Sequence, residues 1–307
     1  MHSLKDKSDR EMTGRLALCT AVYPGVEPWL PDLCASIAGQ TDPAFDLFVI
    51  LDGVPEATWL SRGGAGLSAS LLHAPAGATT ADVRNLLLTG AAAAHDGLVL
   101  VDSDDILLPE RVAAARAGLR GADVVGCAME LVDQAGQPLG LVFGHGSPAT
   151  DRHIIESNRF GMGNGAWRSQ ALLSCLPIPS RCRAADWFVA TRALLQGHSL
   201  RFDPVPLMRY RQHSNNLAGV LPPFSPERLL RGALLAREHY DLVLALDEAR
   251  PGRPLHERLQ AASRQVDRFL RKARSEPEWL TRYGHELDRR GPLDSWWAFL
   301  DAPTEDE

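Results

Sequence analysis

Asp102, Ser103, Asp104 and Asp105 follow directly on four apolar residues, the Leu-Val-Leu-Val run at 98–101. A short continuous apolar run bounded by a turn is the pattern of a buried parallel strand. In open α/β sheets, ligands bind beyond the carboxyl ends of such strands. Carboxylates packed there repel one another unless something positive lies between them. A hard divalent cation that also grips a substrate diphosphate meets that need. An Asp-x-Asp by itself is a weak signal, because aspartates also terminate strands and cap the next helix. Asp105 in particular suits a cap or a turn.

Four further groupings could carry chemistry, each beside a plainer alternative. In Tyr-Arg-Gln-His-Ser-Asn-Asn at 210–216, the His213 imidazole could ligate a divalent metal and Arg211 could grip phosphate bidentately. The alternative is a polar strand end with an ordinary surface histidine. Asp186 and Trp187 could be a general base beside an aromatic platform for a sugar ring, or simply a helix N-cap and its neighbour. In Thr-Thr-Ala-Asp-Val-Arg-Asn at 79–85, helix N-terminal amides and Arg84 could hold phosphate, or the residues could serve as a cap and a surface pair. Asp52, before Gly53, suits a turn as well as a ligand contact.

The elements that must position these residues alternate along the chain. Strands are expected at 16–21, 45–51, 70–73, 98–101 and 124–129. Helices are expected at 31–38, from Thr80 or Asp82 through the alanine-rich stretch to 94, and from Pro109 to about 119. Residues 134–137, Gln-Ala-Gly-Gln, read as a hairpin tip, and 144–165 as an irregular loop of the kind that carries function. A helix at 186–195 closed by Gly197, and short strands at 199–202 and 205–211, follow. This alternation indicates βαβ units and a mainly parallel sheet. Beyond Leu221-Pro222-Pro223, helices from Ser225-Pro226-Glu227 and over 255–273 form a C-terminal extension.

The bulk numbers narrow the class. The 307 residues suffice for one large domain with an appendage. A hydrophobic content of 45%, with 23% charged residues, is that of a globular protein. The net charge of −6 argues against a nucleic-acid partner. No run is long and apolar enough for a transmembrane span. Residues 1–11 are polar and carry no secretory signal, and five cysteines without metal-ligand spacing suit reduced thiols, so a cytoplasmic location is expected.

Taken together, the motifs resemble those of the inverting glycosyltransferases of family 2, over about residues 16–219. The points of contact are the first strand into Tyr23-Pro24, the Ser36-Ile37 and Gln40-Thr41 run, Asp52-Gly53, and Arg84-Asn85. The 102–105 acidic turn, Asp186-Trp187 and the 210–216 motif complete them. The resemblance implies a GT-A fold, an α/β Rossmann-like mixed sheet flanked by helices. The expected organisation is a disordered start at 1–14, the GT-A domain at 15–219 and a helical extension at 220–307. The resemblance places Asp52 on the nucleotide base and Arg84 near the base or diphosphate. It places Asp102 by the ribose and metal, Asp104 on Mn²⁺ or Mg²⁺, and His213 as a further metal or diphosphate ligand. Asp186 matches the catalytic base. Two departures stand out: Leu51-Asp52-Gly53-Val54 replaces the usual Asp-Asp-Gly-Ser, and Ala185-Asp186 replaces the usual Glu-Asp.

The expected reaction moves a sugar from a nucleoside-diphosphate sugar to an acceptor hydroxyl. The acceptor could be a sugar, a lipid-linked molecule, a protein or a small molecule. Arg211 or Arg84 would add charge stabilisation. Tyr23 and Trp187 join the substrate side, with Asn164 and Trp167 as candidates for acceptor binding. A nucleotidyltransferase would need a basic, glycine-rich loop after the first strand, and 20–25 (Thr-Ala-Val-Tyr-Pro-Gly) holds no lysine or arginine. A non-catalytic sugar-nucleotide or partner-binding protein of the same fold is the other alternative. The arginines between 258 and 274 suit a solvated helix face or peripheral contact with an anionic membrane. Trp296, Trp297, Phe299 and Leu300 suit core packing or a homodimer contact.

Overall fold

The computed structural model describes residues 14–145, 151–214 and 216–301. The disordered start expected at 1–14 therefore falls, apart from Gly14, outside the described residues, as do Asn215 and part of the 144–165 loop.

The chain opens as β1 (Leu16–Val22), α1 (Leu30–Ala38), β2 (Phe45–Leu51), α2 (Glu56–Ser61) and β3 (Ala69–His73). Next come α3 (Thr80–Ala92), β4 (Gly97–Leu100), β5 (Ile106–Leu107) and α4 (Arg111–Gly121). A capping box starts α3: the Asp82 amide donates to Thr79 Oγ1 at 3.2 Å and the Thr79 amide to Asp82 Oδ2 at 3.0 Å. Then β6 (Val124–Val132), β7 (Pro138–Phe143), α5 (Arg152–Ile155), β8 (Gly165–Arg168) and α6 (Ser169–Ser174) lead to α7 (Ala185–Leu195) and β9 (Leu200–Arg211). The C-terminal helices are α8 (Pro226–Val243), α9 (His256–Ser275) and α10 (Pro277–Arg290). The two short strands expected at 199–211 are one irregular strand, β9, whose pairing with β6 shifts register near Ala128.

The sheet runs β3-β2-β1-β4-β8-β6-β9-β5, with β7 paired to β6. β1 to β4 are mutually parallel, and β8 enters antiparallel between β4 and β6. Connections run outward from β1 to β3 and then return to β4 on the other side of β1. This reversal opens a crevice at the carboxyl ends of β1 and β4, where such sheets bind ligands. Alternation along β1 fixes its two faces: Ala17 and Cys19 face one core, while Leu16, Leu18 and Val22 face the other.

The larger core is continuous from the sheet into the C-terminal helices. A segment after α10 returns over the sheet domain, where Asn158 and Trp296 exchange backbone hydrogen bonds of 3.0 and 2.9 Å. The fully buried Arg159 guanidinium meets Asp294 at 2.6 Å and the Ser295 hydroxyl at 3.0 Å. Trp296, Trp297, Phe299 and Leu300 are thereby buried in the chain's own core. No helix among the described residues is long and apolar enough to cross a membrane.

Gly284 seats α10 tightly: a Cβ there would lie 2.3 Å from the Phe224 carbonyl oxygen. Backbone cannot yield as a flexible side chain can, so Gly284→Ala is expected to lower stability by about 1–3 kcal/mol. Urea unfolding of the variant beside wild type measures this; an unchanged midpoint would contradict the close seating of α10.

Candidate functional site

A cavity of about 880 Å³ lies at the carboxyl ends of β1, β2 and β4. Tyr23 follows β1, Asp52 follows β2, and Asp102 to Asp105 follow β4, so the parallel strands deliver these side chains to one wall. The acidic run is a tight turn in which the Asp105 amide donates to the Asp102 carbonyl at 3.1 Å. Ser103 and Asp105 point into the protein, leaving Asp102 and Asp104 toward the cavity.

Asp104 is the meeting point of the site. Its Oδ2 lies 2.9 Å from His213 Nε2 and 3.5 Å from the Tyr23 hydroxyl, which donates to it. The His213 ring stacks on Trp29, with centroids 4.6 Å apart, and its amide donates to Asn216 Oδ1 at 3.0 Å. Asp102 Oδ1 lies 3.9 Å from the Arg84 guanidinium, and Gly163 passes close behind the carboxylate. Asp186, in the first turn of α7, also lines the cavity, within electrostatic reach of Asp102 and Arg84, and accepts from Asn158 Nδ2 at 3.4 Å.

The electrostatics reflect crowding. Burial, against the pull of Arg84 and with the help of Asp104 and Asp186, pushes the Asp102 carboxyl up to about 6. Its side chain keeps 46% of its surface, but that surface faces the cavity, where the surrounding protein still disfavours charge. Burial, then repulsion by Asp104 and Asp102, holds Asp105 well above the usual range. Burial likewise raises Asp186. The oxygen and imidazole donors of Asp102, Asp104 and His213 suit a hard divalent cation. No three His, Cys, Asp or Glu side chains among the described residues form a ready metal cage. A cation held by one or two carboxylates and completed by substrate phosphates requires none, so the donor set fits that arrangement.

The chain matches no protein-family model and no curated protein. Among solved structures it is similar to residues 1–349 of S. aureus TarS in complex with UDP-GlcNAc, at 16% identity and a TM-score of 0.55. That match covers 90% of this chain and 92% of the other. It is similar also to the mannosyltransferase PcManGT from Pyrobaculum calidifontis, solved with GDP-Man and Mn²⁺, at 16% identity and a TM-score of 0.57. There it covers 91% of this chain and 76% of the other. Against a longer TarS structure, with a TM-score of 0.53, the chain spans 55% of the length. This chain has the GT-A fold.

Within the GT-A frame, Tyr23, Asp52, Arg84, Asp102, Asp104, Asp186, His213 and Asn164 all line the cavity. Three expected site residues do not. Arg211 is buried and turned away: its Nε donates to the Asp104 carbonyl at 2.8 Å and its terminal nitrogens to the Gln134 carbonyl and Asp32. It braces the acidic turn from behind, with all three guanidinium nitrogens engaged away from the cavity, which it does not line. Trp187 cannot be a sugar platform, because its ring is stacked between His239 and Trp297, at 4.0 and 4.6 Å. Trp167 lies in the core on β8, paired across to Leu98 and Val124. Asn164 touches the cavity, yet its amide is spent on Gly161, Cys127 and Arg159 backbone, tying the loop together.

The structure also brings in residues that motif reading passed over. Gly163 allows Asp102 its position, since a Cβ would fall 2.7 Å from the Asp102 Oδ2. Trp296 and Trp297 form part of the cavity wall, and Asn158 reaches Asp186. The glycine-rich run at 161–165 was a visible signal for the first; nothing local signals the others.

Two outcomes follow from this geometry. Gly163→Ala is expected to displace the Asp102 carboxylate and weaken Mn²⁺ binding, titrated calorimetrically in the presence of a nucleoside diphosphate, by about tenfold. The raised Asp102 carboxyl takes up a proton as pH falls through about 6. Cation affinity is therefore expected to fall below that pH, and binding at pH 6 to release protons. Calorimetry in buffers of different ionisation enthalpy reads the release, which should shrink in Asp102→Asn.

Proposed function

We propose that this protein is a metal-dependent, inverting glycosyltransferase of family 2 that uses a nucleoside-diphosphate sugar. The observation that carries the reading is the convergence of Asp104, His213, Asp102 and Asp186 on one cavity, with Asp104 and His213 2.9 Å apart and Asp186 supplied by a separate element, α7. A single displacement requires two duties in one site: one set of groups stabilises the leaving group while another removes a proton.

In this reading Asp52 and Tyr23 receive the nucleotide and Arg84 lies along the donor beside Asp102. Asp104, with His213 and Asp102, would hold Mn²⁺ or Mg²⁺. Such a cation, when bound, neutralises charge on the departing nucleoside diphosphate. Asp186 accepts the proton from the acceptor hydroxyl as that oxygen attacks the anomeric carbon. The bond to the diphosphate breaks as the new glycosidic bond forms, and the configuration inverts. A carboxylate is a weak base for an alcohol, so proton transfer accompanies attack rather than preceding it. Burial of Asp186 helps by raising its proton affinity. Lining by apolar side chains such as Met129, Met162 and Trp296 limits water at the reacting centre.

The test is nucleoside diphosphate release from a panel of nucleotide sugars, with and without Mn²⁺ or Mg²⁺. One donor is expected to be hydrolysed slowly and only with metal, with Asp104→Ala and Asp186→Asn each reducing the rate by about a hundredfold or more. Absence of both release and calorimetric binding for every donor would refute the reading. Release that survives Asp186→Asn would remove Asp186 as the base.

A further inference from the structure

The mouth of the cavity carries a positively charged group that the donor chemistry leaves unused. Residues 177–184 form a loop between α6 and α7, ending just before Asp186. The loop is held in place at several points. Asn85 spans it with two 2.8 Å hydrogen bonds, one to the Ile178 carbonyl and one from its amide. The Ser180 hydroxyl donates to Asp82 at 2.7 Å, and the Cys182 amide donates to the Pro179 carbonyl, also at 2.7 Å. Arg183 closes the loop on Glu238, through two nitrogens at 2.6 and 2.8 Å.

Arg181 sits on this braced loop, exposed and lining the cavity, with no hydrogen-bond or ion-pair partner among the described residues. The other cavity arginines are engaged: Arg84 lies beside Asp102, and Arg183 is paired with Glu238. Four carboxylates face the interior, from Asp52, Asp102, Asp104 and Asp186, with buried Asp105 just behind them. An anionic molecule approaching them is repelled unless a cation meets it at the mouth, and a guanidinium presents a fork that fits phosphate or carboxylate bidentately. The loop runs directly into α7, whose second residue is Asp186. Cys182, next in sequence to Arg181, is within electrostatic reach of that carboxylate and of Arg84, so the loop adjoins the residue proposed to take the acceptor's proton. A neutral acceptor would make no use of this group, and a cationic one would be pushed away by it.

Resting on the glycosyltransferase reading, we propose that the acceptor is anionic. It carries a phosphate or carboxylate, remote from its reacting hydroxyl, that the Arg181 guanidinium grips at the cavity mouth.

The test fills the donor side first, so that no oxyanion can occupy it. Wild-type protein saturated with Mn²⁺ and whichever of a panel of nucleoside diphosphates binds is titrated calorimetrically with glucose, glucose 6-phosphate and glucuronate. At least one of the anionic sugars is expected to bind about tenfold more tightly than glucose. Arg181→Gln should erase that difference, and Arg62→Gln, at an exposed arginine away from this cavity, should retain it. Equal binding of all three sugars, no binding of any, or a preference that survives Arg181→Gln would overturn the proposal. A weaker nucleoside diphosphate affinity in Arg181→Gln would place the guanidinium on the donor and overturn it equally. Failure of every nucleoside diphosphate to bind with Mn²⁺ would instead refute the proposed function on which it rests.

Discussion

Repulsion among carboxylates at the end of β4 is the constraint around which the site is arranged. Two unit charges 4 Å apart repel by about 4 kcal/mol at the effective dielectric of a protein surface. Here three aspartates share a four-residue turn, and Asp186 lines the same cavity within electrostatic reach of Asp102. The chain tolerates this by fixing the backbone beneath them. Arg211 donates its own amide to Asp105 and its guanidinium to the Asp104 carbonyl, so the strand end of β9 holds the turn of β4. The same arginine ties in Asp32 of α1 and the Gln134 carbonyl at the β6–β7 hairpin tip. A buried cation that never reaches the cavity thus lets the cavity stay negative. What remains is an unmet demand for positive charge at Asp102 and Asp104, and that demand is the chemical basis of the proposed cation and diphosphate site.

The parts legible from sequence are those set by local pattern. β2 is the run at 45–51, and β1, β3 and β4 agree with their apolar runs to within a residue or so, because a buried parallel strand needs continuous apolar side chains. The start of α8 followed from Ser225-Pro226-Glu227, and its cap is the Ser225 hydroxyl accepting from Arg228. The helices α2 and α6 have only six residues each, too short to establish a periodicity. β8 is a four-residue strand whose existence depends on pairing with both β4 and β6, which no local signal encodes. α10 follows α9 after a single intervening residue, Glu276, so the two amphipathic patterns are hard to separate.

The same distinction sorts the site residues. Asp52, Asp102 and Asp104 were legible because each ends a recognisable strand, and a strand end fixes where its next side chains go. Arg211, Trp167 and Trp187 have the chemistry expected of site residues and the right sequence neighbours. The side chains of Arg211 and Trp187, however, are committed to partners more than 20 residues away in sequence, Asp104 and His239. Trp167 is carried into the core by the pairing of β8 with Leu98 of β4. Sequence adjacency to a motif says little about direction, since on a helix Asp186 and Trp187 face different surroundings.

The cavity lining is consequently built in two ways. The lining proposed for the donor comes mainly from the ends of β1, β2 and β4, and sheet topology alone brings these together. The remaining lining includes residues of the 158–164 loop, the 177–184 loop, the first turn of α7 and the segment after α10. Trp296 pairs with the backbone of Asn158, Asn158 touches Asp186, and Trp297 stacks on Trp187, the residue after Asp186. The C-terminal region is therefore part of the site, although its composition sets it apart in sequence. Such a lining can change through any of its distant segments while the strand ends stay fixed. The lining proposed for the donor can then stay constant between proteins of this fold, and the lining proposed for the acceptor is free to differ.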